Sequence, residues 1–283
     1  MDKVENKVAL VTGASSGIGR ATALALHEKG FTTIATAPNV ADLEDLKARG
    51  IETFALDVTD QDAAPKAVAL AERHNGAIQV LVNNAGYGQY GPIEEISIEA
   101  VRQNFETNVF GLLRMCQLVL PKMRAAGSGR IINLSSVAGE IKQPGSGIYH
   151  ATKHAVEAID GALRTEVSTF NVQIVGILPG PVNTNFDEVA VAGIPDTGPD
   201  SPYYVFKQNL AKATREMLSP EATGVLSPED VAAVIVEAAT VDNPKDRYHV
   251  GLMSKAFAAA YSLMPDKIWD TAVSRMIPVD EKK

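Results

Sequence analysis

The amino-acid sequence predicts an α/β fold, a doubly wound parallel sheet in one domain spanning residues 1–283. Three observations carry that expectation. Short apolar, β-forming runs alternate with longer amphipathic stretches along most of the chain, the pattern of βαβ units whose crossover helices cover both faces of one sheet. Most of the short runs are continuously apolar, as parallel strands buried on both faces require. The 283 residues, 46% hydrophobic and 21% charged, are of ordinary globular composition and long enough to bury a core without disulfides or metal.

The first strand, expected at 7–12, runs into a glycine-rich turn that opens a helix at 18–29. Strands follow at 32–36 and 51–56, with helices at 40–48 and 60–74 after them. A fourth strand at 78–82 leads through Asn83-Asn84-Ala85-Gly86 to a long apolar helix at 98–125. The pair 130–134 and 172–178 completes the regular part, with a helix at 148–169 between them. The rhythm then breaks. Residues 186–204 carry Gly193, Pro195, Gly198, Pro199 and Pro202, which reads as a long flexible excursion, and loops of that length are usually functional. Helices resume at 203–217 and 228–239, the latter with Ser227 as cap and Pro228 at its first position. A last short strand is expected at 248–251, and 255–277 offers one or two amphipathic helices interrupted at Pro265.

Composition narrows the function. Against 26 Lys+Arg stand 34 Asp+Glu, a net charge of −8 and a pI near 5.2, the opposite sign to that of a non-specific nucleic-acid or anionic-membrane surface. The single cysteine, Cys116, cannot form an internal disulfide and lies in an apolar run, so a buried structural thiol is expected rather than a nucleophile. Residues 1–7 are charged and lack the apolar core of a signal peptide, and no run of eighteen apolar residues occurs. No membrane span and a cytoplasmic location are therefore expected.

Three motifs carry chemistry. Thr12-Gly13-Ala14-Ser15-Ser16-Gly17-Ile18-Gly19 follows the first strand and opens the first helix; its glycines let backbone approach a phosphate while the helix N-terminus offers unpaired N–H groups. The Asn83-Asn84-Ala85-Gly86 turn after the fourth strand faces the same crevice. Asp57 after the third strand suits either an adenine contact or a cap for the next helix. Ser135-Ser136 ends the fifth strand, and Tyr149 and Lys153, four apart, share one face of a helix. A phenol titrates near 10, and a nearby ammonium favours its ionised form.

This ordered set resembles the short-chain dehydrogenase/reductase family in its single-domain, Rossmann-fold form, from about residue 7 to residue 251. The matching pieces are the glycine turn, Asp57-Val58, Asn83-Asn84-Ala85-Gly86, Asn108, Ser136, Tyr149, Lys153 and Pro179-Gly180-Pro181-Val182-Asn183-Thr184. Residues 83–91 and the long tail are similar to the hydroxysteroid- and retinol-dehydrogenase-like subgroup.

The resemblance implies an oxidoreductase that moves a hydride between a nicotinamide and a small carbonyl or alcohol substrate, with no metal required. It implies Tyr149 as general acid or base, Lys153 as the group that lowers its pKa and binds the ribose, Ser136 as the group that orients substrate oxygen, and Asn108 as the holder of a relay water. Cofactor contacts fall to Gly13, Ser15, Ser16, Gly17, Ile18, Gly19, Asp57, Val58, Asn83, Ala85, Gly86, Tyr149, Lys153, Pro179, Gly180, Val182 and Thr184. No acid stands at the end of the second strand (Ala37, Pro38), which favours NADP over NAD; Arg20, Ser15, Thr36 and Asn39 are candidates to share a 2′-phosphate.

The stretch 186–226 is similar to the family's substrate lid. Tyr87, Tyr90, Val137, Ile141 and Phe186 suggest a hydrophobic alcohol or ketone. His150 and His154 are expected to pack rather than to catalyse. The tail at 254–283 is expected to pack on the protein with a share in the cleft rim, and a homo-oligomer is the expected state. A catalytically silent dinucleotide sensor is the alternative, although such a protein is expected to have lost its tyrosine or lysine. A sugar-nucleotide epimerase needs a larger C-terminal domain.

Overall fold

The structure, a computed structural model, describes residues 7–219 and 221–278. The ends of the expected 1–283 domain and of the 254–283 tail, and Pro220 within the 186–226 segment, lie outside the described residues. Among those residues the strands are β1 (Val8–Val11), β2 (Thr32–Ala37), β3 (Glu52–Ala55), β4 (Val80–Asn83), β5 (Gly129–Leu134), β6 (Val172–Pro179) and β7 (Arg247–Val250). They form one sheet in the order β3-β2-β1-β4-β5-β6-β7, parallel at every pairing. The helices are α1 (Gly17–Glu28), α2 (Glu44–Ala48), α3 (Ala63–Glu72), α4 (Ile98–Phe105), α5 (Leu112–Ala126), α6 (Gly147–Val167), α7 (Phe186–Ala192), α8 (Tyr204–Leu218), α9 (Pro228–Thr240), α10 (Leu252–Leu263) and α11 (Asp266–Met276).

Successive strand side chains point to opposite faces, which is why apolar runs without polar breaks build two cores. Val8 and Leu10 of β1 join Ile34, Leu81, Ile131 and Ile174 beneath α3, α5 and α6, where Ala67, Met115, Cys116 and Val156 close the layer. Ala9 and Val11 face the other way, with Val82, Ile132 and Val175 beneath α1 and α9 through Ala23, Leu26, Val231 and Ile235. Cys116 is buried and free, as its sequence context predicts. The chain winds outward one way through β1, β2 and β3, then restarts at β4 on the other side. The crevice beyond the C-terminal ends of β1 and β4 is therefore the switch point of the sheet.

Two expectations need correction. The helix at 98–125 is not continuous: a π-helical stretch, Glu106–Gly111, separates α4 from α5. Asn108 lies buried inside it, accepting from Tyr87 N at 3.0 Å and donating to Tyr87 O at 2.9 Å and Thr152 Oγ1 at 3.1 Å. A Cβ at Gly111 would come within 2.7 Å of Val58. The widened turn thus aims one amide at a neighbouring loop and helix where the backbone must also pass close to Val58. The excursion at 186–204 also begins as structure. Phe186–Ala192 forms α7, with Asp187 and Glu188 in its first turn where the helix dipole favours acids, and the prolines come only afterwards. Among the described residues no helix is long and apolar enough to cross a membrane.

Candidate active site

The turn after β1 is bound tightly to the turn after β4. Thr12 Oγ1 accepts from the Asn84 and Ala85 amides at 3.0 and 3.1 Å, while Asn84 Nδ2 donates to the Thr12 and Gly13 carbonyls at 3.0 and 2.9 Å. That closeness requires glycine. Gly13 has φ +63°, and a Cβ there would lie 2.8 Å from Ala85 Cα; a Cβ on Gly19 would be driven into the Gly13 carbonyl. Ser16 starts α1 in an extended conformation, but its side chain makes no capping hydrogen bond. The first amides of α1 therefore face the cleft without a side-chain cap, a cradle that suits a phosphate.

Ser136, Tyr149 and Lys153 line the middle of the same cleft, a cavity of about 460 Å³. Ser136 sits just past β5, its Oγ accepting from Ala138 N at 3.1 Å. Tyr149, 8% exposed on α6, has its ring centroid 6.1 Å from that of Tyr90 and 5.3 Å from that of Phe186. Burial pushes the phenol up to about 12, with the Ser136 hydroxyl pulling the other way. Lys153 lies one turn further on, its Nζ 5.8 Å from the Tyr149 ring centroid and donating to Leu134 O at 2.6 Å. Burial lowers it to about 8, against the pull of Asp160 and Glu157.

The cleft gathers most of the candidate positions: Gly13, Ser15, Ser16, Gly17, Ile18, Asp57, Val58, Ala85, Gly86, Ser136, Tyr149, Lys153, Pro179, Gly180, Val182 and Thr184. Three stand back from it. Gly19 serves the packing of the turn. Asn83 points into the core, its Nδ2 2.9 Å from Asn133 Oδ1 and 3.3 Å from Cys116 Sγ, and Asn84 takes its place in the cleft wall. The Asn108 side chain ties the Tyr87 loop to α6 through Tyr87 and Thr152. Asp57 lines the cleft while its Oδ1 accepts from Thr59 at 2.9 and 2.8 Å; the helix-side cap is Asp60. Ser135 also reaches the cleft, with its Oγ unpartnered among the described residues.

The candidates for a 2′-phosphate are mostly engaged elsewhere. The Arg20 guanidinium pairs with Asp45, Thr36 Oγ1 donates to Val11 O at 3.2 Å, and Asn39 caps Ala41 N at 3.1 Å. Only Ser15 of the four lines the cleft, beside Pro38. Ala37 is fully buried.

The far end of the cleft is apolar. Tyr87, Tyr90, Val137, Ile141 and Phe186 line it as expected, joined by Val189, Met217 and Leu218 and by Phe257, Trp269, Val273 and Met276 from the C-terminal helices. Trp269, 4% exposed, donates from Nε1 to Lys142 O at 2.7 Å and stacks edge-on against Tyr261 at 5.0 Å. The tail's other apolar residues do not share that burial: Leu263 is 83% exposed and Ile268 56%.

A glycine cradle at the switch point of a parallel sheet, with a serine, tyrosine and lysine gathered beside it, defines a class: oxidoreductases built on a dinucleotide-binding sheet. The family model for short chain dehydrogenase matches residues 7–193. The chain is 37% identical to the NADPH-dependent 3-dehydrocapnine reductase of Ornithobacterium rhinotracheale, over 93% of this chain and 95% of that one. A crystal structure of a short-chain dehydrogenase from Streptomyces avermitilis superposes with a TM-score of 0.79 at 34% identity, covering 95% and 98% of the two chains. One from Burkholderia phymatum, in complex with NAD, gives 0.78 at 26% identity, covering 96% and 97%. This chain belongs to the short-chain dehydrogenase/reductase family.

Proposed function

We propose that this protein interconverts a hydrophobic ketone and its secondary alcohol, with NADP preferred over NAD, in the cytoplasm and as a homo-oligomer. One observation carries the reading: Ser136, Tyr149 and Lys153 line a single cleft together with the glycine cradle and a set of apolar side chains.

The residues present fit a dinucleotide, because the uncapped amides of α1 and the tight approach at Gly13 leave backbone, not side chains, against the phosphate position. Ser15, Ser16, Gly17 and Ile18 would hold the phosphates, Asp57 and Val58 the adenine, and Lys153, Pro179, Gly180, Val182 and Thr184 the nicotinamide half. When bound, the cofactor supplies or accepts the hydride. Ser136 orients the substrate oxygen toward Tyr149. Tyr149, a phenol protonated at neutral pH, would give its proton to that oxygen during reduction. Lys153 supplies positive charge beside the phenolate left behind. The lid at 186–226 and the C-terminal helices exclude water from the chamber.

The apolar chamber and the paired C-terminal helices support bulky substrates of the kind taken by the hydroxysteroid- and retinol-dehydrogenase-like subgroup. The preference for NADP rests on the absence of a carboxylate at the end of β2, where Ala37 is buried and Pro38 lines the cleft. A relative named for its use of NADPH points the same way. A panel of ketones and alcohols, read by nicotinamide absorbance with NADPH and NADH, tests both parts. Tight cofactor binding with no turnover of any substrate would favour the silent-sensor alternative, and tighter binding of NADH than NADPH would overturn the cofactor preference.

A further inference from the structure

The apolar chamber contains one polar side chain whose chemistry is one-sided. His150 follows Tyr149 on α6, is 7% exposed and lines the cleft. Its Nδ1 lies 2.7 Å from Ile141 O. A carbonyl oxygen can only accept, so Nδ1 carries the hydrogen of this contact. Burial is the main reason the ring's pKa falls to about 4, so the imidazole is neutral at physiological pH. In that tautomer Nε2 is a bare lone pair, able to accept and unable to donate. No hydrogen-bond partner of Nε2 is found among the described residues. The ring is also held in place, edge-on to Tyr149 at a centroid separation of 6.2 Å.

We propose that His150 Nε2 determines specificity, accepting a hydrogen bond from a hydroxyl or amine that the ketone substrate carries within a few bonds of its carbonyl. The proposal rests on the ketone-reductase reading above. Its neighbour in the chamber, Gln143, can donate or accept and so does not discriminate. His150 does, because a ketone that brings no donor leaves the lone pair desolvated and unpaired. That penalty corresponds to about 10- to 100-fold in kcat/KM.

The test compares three ketones of equal chain length, bearing a hydroxyl, an amine or a methyl on the carbon beside the carbonyl. With NADPH in excess, the wild-type protein is expected to prefer a donor-bearing ketone over the methyl ketone by about 10- to 100-fold, and whichever donor is preferred names the group. In His150→Leu the ratio falls to near one. In His150→Gln, whose amide can donate to Ile141 O and still present an oxygen, most of the preference returns. Melting temperatures check that each variant folds, and the wild-type comparison depends on no variant. A wild-type protein that reduces the methyl ketone as well as its partners overturns the proposal, as does a Leu variant that keeps the preference. If no ketone is turned over at all, the reductase reading fails instead. Calorimetric binding of the same three compounds to the NADP-loaded protein then decides the role of His150.

Discussion

Replacing Tyr149 with Phe removes one oxygen and leaves the ring. That ring contributes most of the local packing, against Tyr90 at 6.1 Å, Phe186 at 5.3 Å and His150 at 6.2 Å between centroids, and Phe can keep all three contacts. The hydroxyl's structural share is no more than one hydrogen bond. A hydrogen bond of this kind is worth about 1 kcal/mol net, which moves the melting temperature by roughly 2–4 °C in a chain of this size. The catalytic share is larger. Loss of a positioned proton donor costs about 10²–10⁴ in rate, or about 3–5 kcal/mol of transition-state stabilisation. Stability and activity should therefore separate: a near-native melting curve, NADPH affinity within a few-fold of wild type, and kcat reduced at least a hundredfold. Single-turnover oxidation of bound NADPH by an accepted ketone reads the chemical step directly. A Phe variant with wild-type single-turnover rates would refute the assignment of Tyr149, whatever its stability.

Lys153 is lowered to about 8, so it is charged below that pH and neutral above it; ketone reduction is expected to fall as pH rises through about 8, and a profile flat to pH 9.5 contradicts its electrostatic role. Asp160 is raised by burial to about 7, so the stability it contributes is complete below about pH 4 and lost as pH rises through 7. Asp160→Asn should therefore gain on wild type between pH 5 and pH 8 in chemical denaturation, and an equal gap at both pH values counts against this. Pro38→Arg places a guanidinium on the cleft wall and should tighten NADPH by roughly tenfold with little change for NADH; equal effects on both cofactors, by fluorescence titration, reject a 2′-phosphate site there. Trp269→Ala should cost about 3–5 kcal/mol in urea unfolding and raise KM for bulky ketones, and unchanged KM removes the C-terminal helix from the substrate chamber.

The sheet was legible because burial on both faces leaves no room for polar residues inside a strand. Val-Ala-Leu-Val in β1 has no reading but a central strand once a glycine turn and a helix follow it. What composition cannot show is how a helix deviates from regularity. The break at Glu106–Gly111 arises from tertiary partners of Asn108 on the Tyr87 loop and α6, and nothing in the local apolar pattern of 98–125 records them. Likewise the prolines after residue 194 give the whole stretch a loop-like composition, although the seven residues of 186–192 have helix-compatible chemistry and form α7.

The site shows the same division between spacing and direction. Ser136, Tyr149 and Lys153 are legible only as part of the whole ordered set of motifs, and a strand end and one helix face then fix where they meet. Asn83 and Asn84 could not be told apart in that way: they are neighbours where β4 ends, and only the pleat decides which one enters the core. The core-facing one bonds Asn133 and stands beside Cys116, while the other ties the glycine turn to β4 and faces the cleft. A buried polar contact at the end of a central strand is expensive to leave unmade, so Asn133 on the adjacent strand β5 was the available signal for Asn83. The cleft's far wall had no such signal. Phe257, Trp269, Val273 and Met276 have helical spacing whether they face substrate or plain core, and it is the reversal at Pro265 that folds α11 back so that Trp269 bonds Lys142 and closes the chamber. On the reading proposed above, substrate choice falls to parts of the chain that carry no motif: the C-terminal helix pair and the His150 imidazole that lines the same cleft.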